Sequence, residues 1–186
     1  MRITGGLAKG RLIISPKGLN VRPTSDKVRE TIFNVAGQDL TGVMAIDLFA
    51  GTGSLGLEAL SRGATKAVFI DNSSYSINLI KKNLALCGYT DISTVLKRDL
   101  KKGLYGVSRL ARDSFGMVFL DPPYRKGLIP FLLKTLPVAI NLSNNAQVIV
   151  ESASDEYFST SEGGLEMVDS RIYGDTKLSI YIYKGP

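Results

Sequence analysis

The chain has 186 residues, a formal net charge of +6, 44% hydrophobic and 22% charged residues, the composition of one ordinary soluble domain that buries about two-thirds of its unfolded surface. It contains no histidine and a single cysteine, Cys87, which excludes histidine triads, histidine bases and metal ligands, internal disulfides and thiolate zinc clusters. No apolar run approaches the roughly 18 residues of a membrane span, and "MRITGGLAKGRL" lacks a signal-peptide core, so the expected location is the cytoplasm and no membrane partner is expected.

The first stretch, "RITGGLAKGRLII", reads as a small glycine-rich hairpin. Arg2, Lys9, Arg11, Lys17, Arg22, Lys27 and Arg29 face only Asp26 within residues 1–29, whereas the remaining chain is balanced in charge. Segregation of this kind forms an electrostatic footprint for a polyanion and favours nucleic acid; a solvated, solubilising arm is the alternative. Next, "RPTSDKVRETIFNVAG" begins a helix that Thr24 or Ser25 can cap, with Asp26 in the first turn and Val28, Ile32, Phe33 and Val35 as its apolar face. The boundaries expected are a basic arm over 1–23 and one compact domain over 24–186.

From residue 43 onward, short β-branched runs alternate with helical stretches. Strands are expected at 43–49, 66–71, 92–98, 115–121 and 146–152. Helices are expected in "SLGLEALSRG", "SYSINLIKKNLALCG", "LKKGLYGVSRLAR" and "GLIPFLLKTLPVAI", the first two stopping at Gly63 and Gly88. Such alternation implies parallel strands with right-handed crossovers in an open α/β sheet. At the end, "LEMVDSRIY" and "KLSIYIY" flank "GDT" with no room for a helix, which predicts an antiparallel hairpin at a sheet edge. Cys87 falls on the apolar side of its helical stretch and reads as core.

Two motifs carry chemistry. "DLFAGTGSLG" contains a G-x-G-x-x-G whose Gly51 and Gly53 let the backbone turn sharply at the carboxyl end of the first strand. Asp71 closes the second strand 20 residues after Gly51, where a carboxylate can grip two ribose hydroxyls. A dinucleotide and a methyl donor both want these features. Asp47 separates them: beside a pyrophosphate its charge would repel, whereas S-adenosylmethionine offers a sulfonium and an ammonium for it and a carboxylate for the loop amides. Asp47 as an acid capping loop amides is the alternative. Asp99, ending the third strand, can meet an adenine amino group or cap a helix.

The second motif is Asp121-Pro122-Pro123-Tyr124 after the fourth strand. Two prolines in series give a stiff corner that projects carbonyl acceptors, and Tyr124 can stack a planar base. This suits methylation of an exocyclic amine on an unstacked nucleobase, with the N–H groups held by Asp121 and the Pro122 carbonyl. A rigid turn with an aromatic plug is the plainer reading.

Taken together, "RITGGLAKGR", "RPTSDKVRETIFN", "DLFAGTGSLGLEALSRGA" with "FID", and "DPPYRKG" resemble the bacterial 16S ribosomal RNA guanine-N2 methyltransferases over nearly the whole chain. The resemblance implies a Rossmann-like class I methyltransferase fold: a mostly parallel seven-stranded sheet with a C-terminal antiparallel hairpin and a small basic N-terminal arm. It also implies S-adenosyl-L-methionine as donor and N2-methylation of one guanine of 16S rRNA in the small ribosomal subunit or an assembly intermediate; separately, a monomer without a metal is expected. Asp47, Phe49, Gly51, Gly53, Asp71 and Asp99 would line the cofactor site, and Asp121, Pro122, Pro123 and Tyr124 would receive the guanine. Arg2, Lys9, Arg11, Arg22, Lys27 and Arg29 would contact phosphates. Other readings are methylation of another nucleic-acid or protein nitrogen, a NAD-dependent oxidoreductase, and a non-catalytic RNA-binding module.

Overall fold

The computed structural model describes residues 1–16, 26–104, 106–107 and 113–185. Arg22, Lys17 and the cap candidates Thr24 and Ser25 lie outside these residues, as does part of the helix expected in "LKKGLYGVSRLAR". The chain divides into two compact units, Met1–Arg98 and Asp99–Pro186.

In the first unit, α1 (Asp26–Ala36) precedes β1 (Met44–Leu48), α2 (Ser54–Ser61), β2 (Lys66–Asp71), α3 (Ser74–Cys87) and β3 (Ser93–Lys97). β1 and β2 run parallel, as do β2 and β3. All five residues of β1 are buried, as expected of a strand covered on both faces. α3 starts where Ser73 Oγ accepts the Ser76 N–H and stops where Gly88 turns left-handed at φ 76°. Cys87 is buried on this helix, and burial raises its thiol pKa.

The second unit contains β4 (Phe115–Leu120), α4 (Leu128–Ala139), β5 (Leu142–Ala153), β6 (Ser161–Glu162), β7 (Leu165–Tyr173) and β8 (Thr176–Tyr183). β4 and β5 pair in parallel, after which β8, β7 and β6 follow antiparallel. The expected terminal hairpin is β7–β8. Eight strands occur among the described residues instead of seven, because the Gly163–Gly164 turn folds Ser161–Glu162 back onto Leu165–Glu166. Only the short 3-10 turn Leu100–Lys102 is described where a helix was expected to begin after Asp99.

The N-terminal hairpin is real, and it is integral to the first unit. Arg2 bridges Leu12, and the Ile3 N–H donates to the Arg11 carbonyl at 3.0 Å. The hairpin then docks on the end of α2: the Leu7 N–H donates to the Ser61 carbonyl at 2.7 Å and the Ala8 N–H to Ser61 Oγ at 2.9 Å. Gly6 has φ +73°, and a Cβ there would lie 1.8 Å from the Ser61 carbonyl oxygen, so no other residue permits this approach.

Behind that contact is a buried ion cluster. Glu58 of α2 has 0% exposure and faces Arg29 at 3.6 Å and Arg62 at 3.4 Å. Its Oε1 also accepts the Thr4 N–H of the arm at 2.6 Å. Arg29 further pairs with Asp26 at 2.8 Å and donates to the Arg2 carbonyl at 2.6 Å, while Arg62 lies 4.6 Å from the centroid of the Phe33 ring. Removing one partner from a buried ion cluster leaves uncompensated charge. Glu58→Ala should therefore cost about 3–5 kcal/mol in denaturant-induced unfolding, and the arm should become accessible to protease in limited digestion.

Candidate active site

The glycine loop is built from β1, the turn Phe49–Gly53 and the first turn of α2. Phe49 takes φ 66°, a left-handed conformation that a bulky residue adopts only when its surroundings enforce it. Gly51 follows at φ 55° and Gly53 at φ 78°. A Cβ on Gly51 would meet only the Phe49 carbonyl oxygen, at 3.9 Å, so the space over the loop is open to a ligand. Gly56, the third glycine of the motif, serves packing: a Cβ there would fall 2.3 Å from the Phe69 ring of β2.

Asp71 at the end of β2 fastens the loop. Its Oδ2 accepts the Gly51 N–H at 2.9 Å and its Oδ1 accepts the Ser73 N–H at 2.8 Å. The half-buried carboxylate is thereby held in one orientation at the strand end.

Asp47 behaves differently from a charge at the mouth of a crevice. It is 2% exposed, and its Oδ2 accepts the Gly56 N–H at 3.0 Å. Burial pushes its carboxyl up to about 7, with the Gly56 N–H opposing and the charge of Asp71 adding to the rise. The structure thus gives Asp47 the amide-capping arrangement, because α2 starts without a side-chain cap at Gly53 and this carboxyl serves the first turn from below.

Asn83 is a residue the sequence reading missed. Its Nδ2 donates to the Thr52 carbonyl of the glycine loop at 3.0 Å and to the Ile14 carbonyl at 3.1 Å, while its Oδ1 accepts the Ile14 N–H at 2.7 Å. One fully buried amide therefore ties the arm and the loop together. The available signal was a polar residue among Ile80, Leu84 and Cys87 on the inward face of α3.

Of the basic residues expected to meet phosphate, Arg2, Lys9, Arg11 and Lys27 are exposed. Arg2 donates to the Gly10 carbonyl at 3.1 Å and Arg11 to the Leu86 carbonyl at 3.0 Å. Arg29 is a correction. At 0% exposure and paired with Glu58 and Asp26, it cannot reach a phosphate, and its charge serves the interior.

In the second unit, Asp99 caps the 3-10 turn, its Oδ1 accepting the Lys101 N–H at 3.1 Å. After β4 come half-buried Asp121, buried Pro122, exposed Pro123 and half-buried Tyr124. The Tyr124 hydroxyl donates to Glu151 Oε1 of β5 at 2.9 Å and lies 3.4 Å from Thr176 Oγ1 of β8. Burial, then the negative charge of Glu151, raises the phenol pKa, so the ring is neutral and anchored at its far end. Arg125, at φ 55°, clasps Asp155 through Oδ1 at 3.1 Å and Oδ2 at 3.0 Å, and its N–H donates to Glu156 Oε1 at 3.2 Å. Glu151 and Thr176, far from the motif in sequence, were not foreseen. No group of three or more His, Cys, Asp or Glu side chains among the described residues could hold a metal. No described helix is long and apolar enough to cross a membrane.

A family model described as "Conserved hypothetical protein 95" matches residues 1–182. The chain belongs to this family. It is 32% identical over 183 residues to ribosomal RNA small subunit methyltransferase D of Escherichia coli strain K12, covering 97% of this chain and 89% of that protein. The protein of the same name from Haemophilus influenzae is 34% identical over 164 residues, covering 87% of this chain and 83% of the relative. Among solved structures, yhhF from Escherichia coli matches with a TM-score of 0.84 at 31% identity, covering 100% of this chain and 99% of that one. An RNA methyltransferase from Salinibacter ruber, solved with S-adenosyl-L-homocysteine, shares the fold at 16% identity and a TM-score of 0.64, covering 89% of this chain and 95% of that one. The resemblance seen in the motifs is therefore one of family, and the fold is the Rossmann-like methyltransferase fold.

Two outcomes follow for these side chains. The folded-state pKa of Asp47 lies above its unfolded value, so its neutral form is favoured by folding. Its contribution to stability is full below about pH 4 and is lost as pH rises through about 7. Asp47→Asn, which keeps an oxygen for Gly56, should flatten this decline in melting temperature against pH. Tyr124→Phe removes a hydroxyl donor from buried Glu151 and should cost about 1–3 kcal/mol in chemical unfolding.

Proposed function

We propose that this protein is an S-adenosylmethionine-dependent methyltransferase acting on the N2 amine of one guanine in 16S rRNA. The observation that carries the reading is the double-proline corner with its hydroxyl-anchored tyrosine, in a chain whose family includes relatives named for methylation of small-subunit ribosomal RNA. The glycine loop fits the donor: its backbone turns left-handed beneath open space and Asp71 stands oriented at the strand end. When bound, S-adenosylmethionine supplies a methyl group on a sulfonium cation.

On this reading Asp71 receives the ribose hydroxyls, and the amides of Gly51 and Gly53 meet the carboxylate of the amino-acid part. Phe49 borders the same loop, and Asp99 meets the adenine. Asp47 acts through the backbone, holding the first turn of α2 so that the loop keeps its shape. An anionic Asp47 also favours a cationic ligand, which would lower its pKa from about 7 on binding.

The guanine amine is a weak nucleophile because its lone pair is delocalised into the ring. Asp121 and the Pro122 carbonyl accept its two N–H bonds, turning the lone pair out of the ring plane and stabilising the positive charge that grows on nitrogen. Pro123 keeps the corner rigid, and Tyr124 stacks the base that has left its helix. Transfer would depend on proximity and electrostatics, which suits a chain without histidine. As the N–CH3 bond forms the S–CH3 bond breaks, and the sulfur leaves as the neutral thioether of S-adenosylhomocysteine. One N–H proton passes to the Asp121 carboxylate that already accepts it. Arg2, Lys9, Arg11, Lys27 and Arg22 hold the RNA backbone without reading sequence. The dinucleotide reading of the loop is not retained.

The test is methylation of small ribosomal subunits from a strain lacking this gene, with labelled donor and mass spectrometry of the digested nucleosides. N2-methylguanosine from 16S rRNA is expected, and Asp121→Ala should lower kcat about 100-fold. Labelling of another nucleoside, or an Asp121→Ala variant as fast as wild type, would remove the proposed role.

A further inference from the structure

One aromatic side chain beside the corner is left out of the chemistry above. Tyr157, in the turn after β5, has 86% of its surface exposed. Lys177 of β8 is itself 6% exposed, and its ammonium lies 4.1 Å from the centroid of the Tyr157 ring. The same ammonium donates to the Glu156 carbonyl, so the cation is fixed and fixes the ring plane in turn. With one face on a buried cation and most of the residue in solvent, the ring offers a flat surface of set orientation.

This turn is fastened to the double-proline corner. Arg125, adjoining Tyr124, holds both oxygens of Asp155, and its N–H donates to Glu156 Oε1. Glu156 Oε2 also accepts the Ala153 N–H at 3.1 Å, closing the turn onto the end of β5. Tyr157 is the next residue along, so these contacts place the exposed ring close to the corner in the chain. Arg125 pairs with Asp155, and the Lys177 ammonium stands behind the ring, with the Glu156 carboxylate held on backbone N–H groups beside it.

We propose that Tyr157 is a second stacking platform, taking an unstacked RNA base that flanks the target nucleotide. The inference rests on the RNA-methylation reading above and extends it from one base to two. Taking a nucleotide out of its helix leaves its neighbours without stacking partners, and an aromatic face beside the corner replaces that contact for any base. Every base has such a face, so the platform adds affinity and holds the strand while contributing no sequence code.

The measurement is the affinity of the full chain for purified small ribosomal subunits lacking the modification, with donor affinity measured alongside. Tyr157→Ala should bind subunits about tenfold more weakly, Tyr157→Phe within about twofold of wild type, and both should bind S-adenosylmethionine as wild type does. The proposal is overturned if Tyr157→Ala binds subunits normally, or if the phenylalanine variant loses as much as the alanine variant, which would assign the effect to the hydroxyl. It is also overturned if donor affinity falls in parallel, which would make the ring a structural partner of Lys177. Identifying the methylated nucleoside with wild-type protein separates this from the parent reading: a different nucleoside would refute guanine N2 as the target while the binding comparison still judged Tyr157.

Discussion

Everything in the first unit hangs on the buried carboxylate of Glu58. Two guanidinium groups and a backbone N–H from the arm converge on it with no solvent to share the charge. Such a cluster is stable only when complete, because each member alone would be a buried, uncompensated charge. Glu58 lies one turn into the helix that begins at the glycine loop, so the cluster that closes the arm also seats the helix beneath the proposed donor site. Asn83 repeats the connection on the other side of the loop, with one amide serving both Ile14 and Thr52. The described part of the arm and the loop are therefore parts of one structure, and Arg2, Lys9 and Arg11 are presented on that frame.

The carboxylates divide their labour by environment. Asp71, half-buried and bonded to two amides, is held in place at the strand end. Asp47, four residues before the first glycine, is buried and given to the helix start, and its pKa rises accordingly. Glu151 is 7% exposed and accepts from the tyrosine hydroxyl, which turns an aromatic side chain with free rotation into a ring held at both ends. A stacking surface that is already oriented loses less entropy when a base arrives.

Much of the fold was legible because its signals are local. The runs at 66–71 and 115–121 are short, β-branched and bounded by turn residues, and the structure places strands at Lys66–Asp71 and Phe115–Leu120. The terminal hairpin was readable from the lack of space for a helix across "GDT". Arg29 was misread for an equally definite reason. A cluster of like charges in sequence predicts an exposed patch, and the local pair with Asp26 is equally compatible with an exposed arginine, whereas the partner that buries Arg29 lies 29 positions away on α2. The two-residue strand Ser161–Glu162 escaped notice because so short a segment has no periodicity to read.

The sequence by itself determined the alternation of strands and helices, the glycine loop, the double-proline corner and the concentration of positive charge near the N-terminus, since each depends on neighbouring residues and on backbone geometry. Only the tertiary structure decided which charges face water. Arg29, Asp47 and Glu58 carry formal charges like any others in the sequence, yet folding removes all three from solvent and assigns them to one another or to backbone amides. The reason is that the cost of a charge depends on the dielectric around it, and that surrounding is made by segments far apart along the chain.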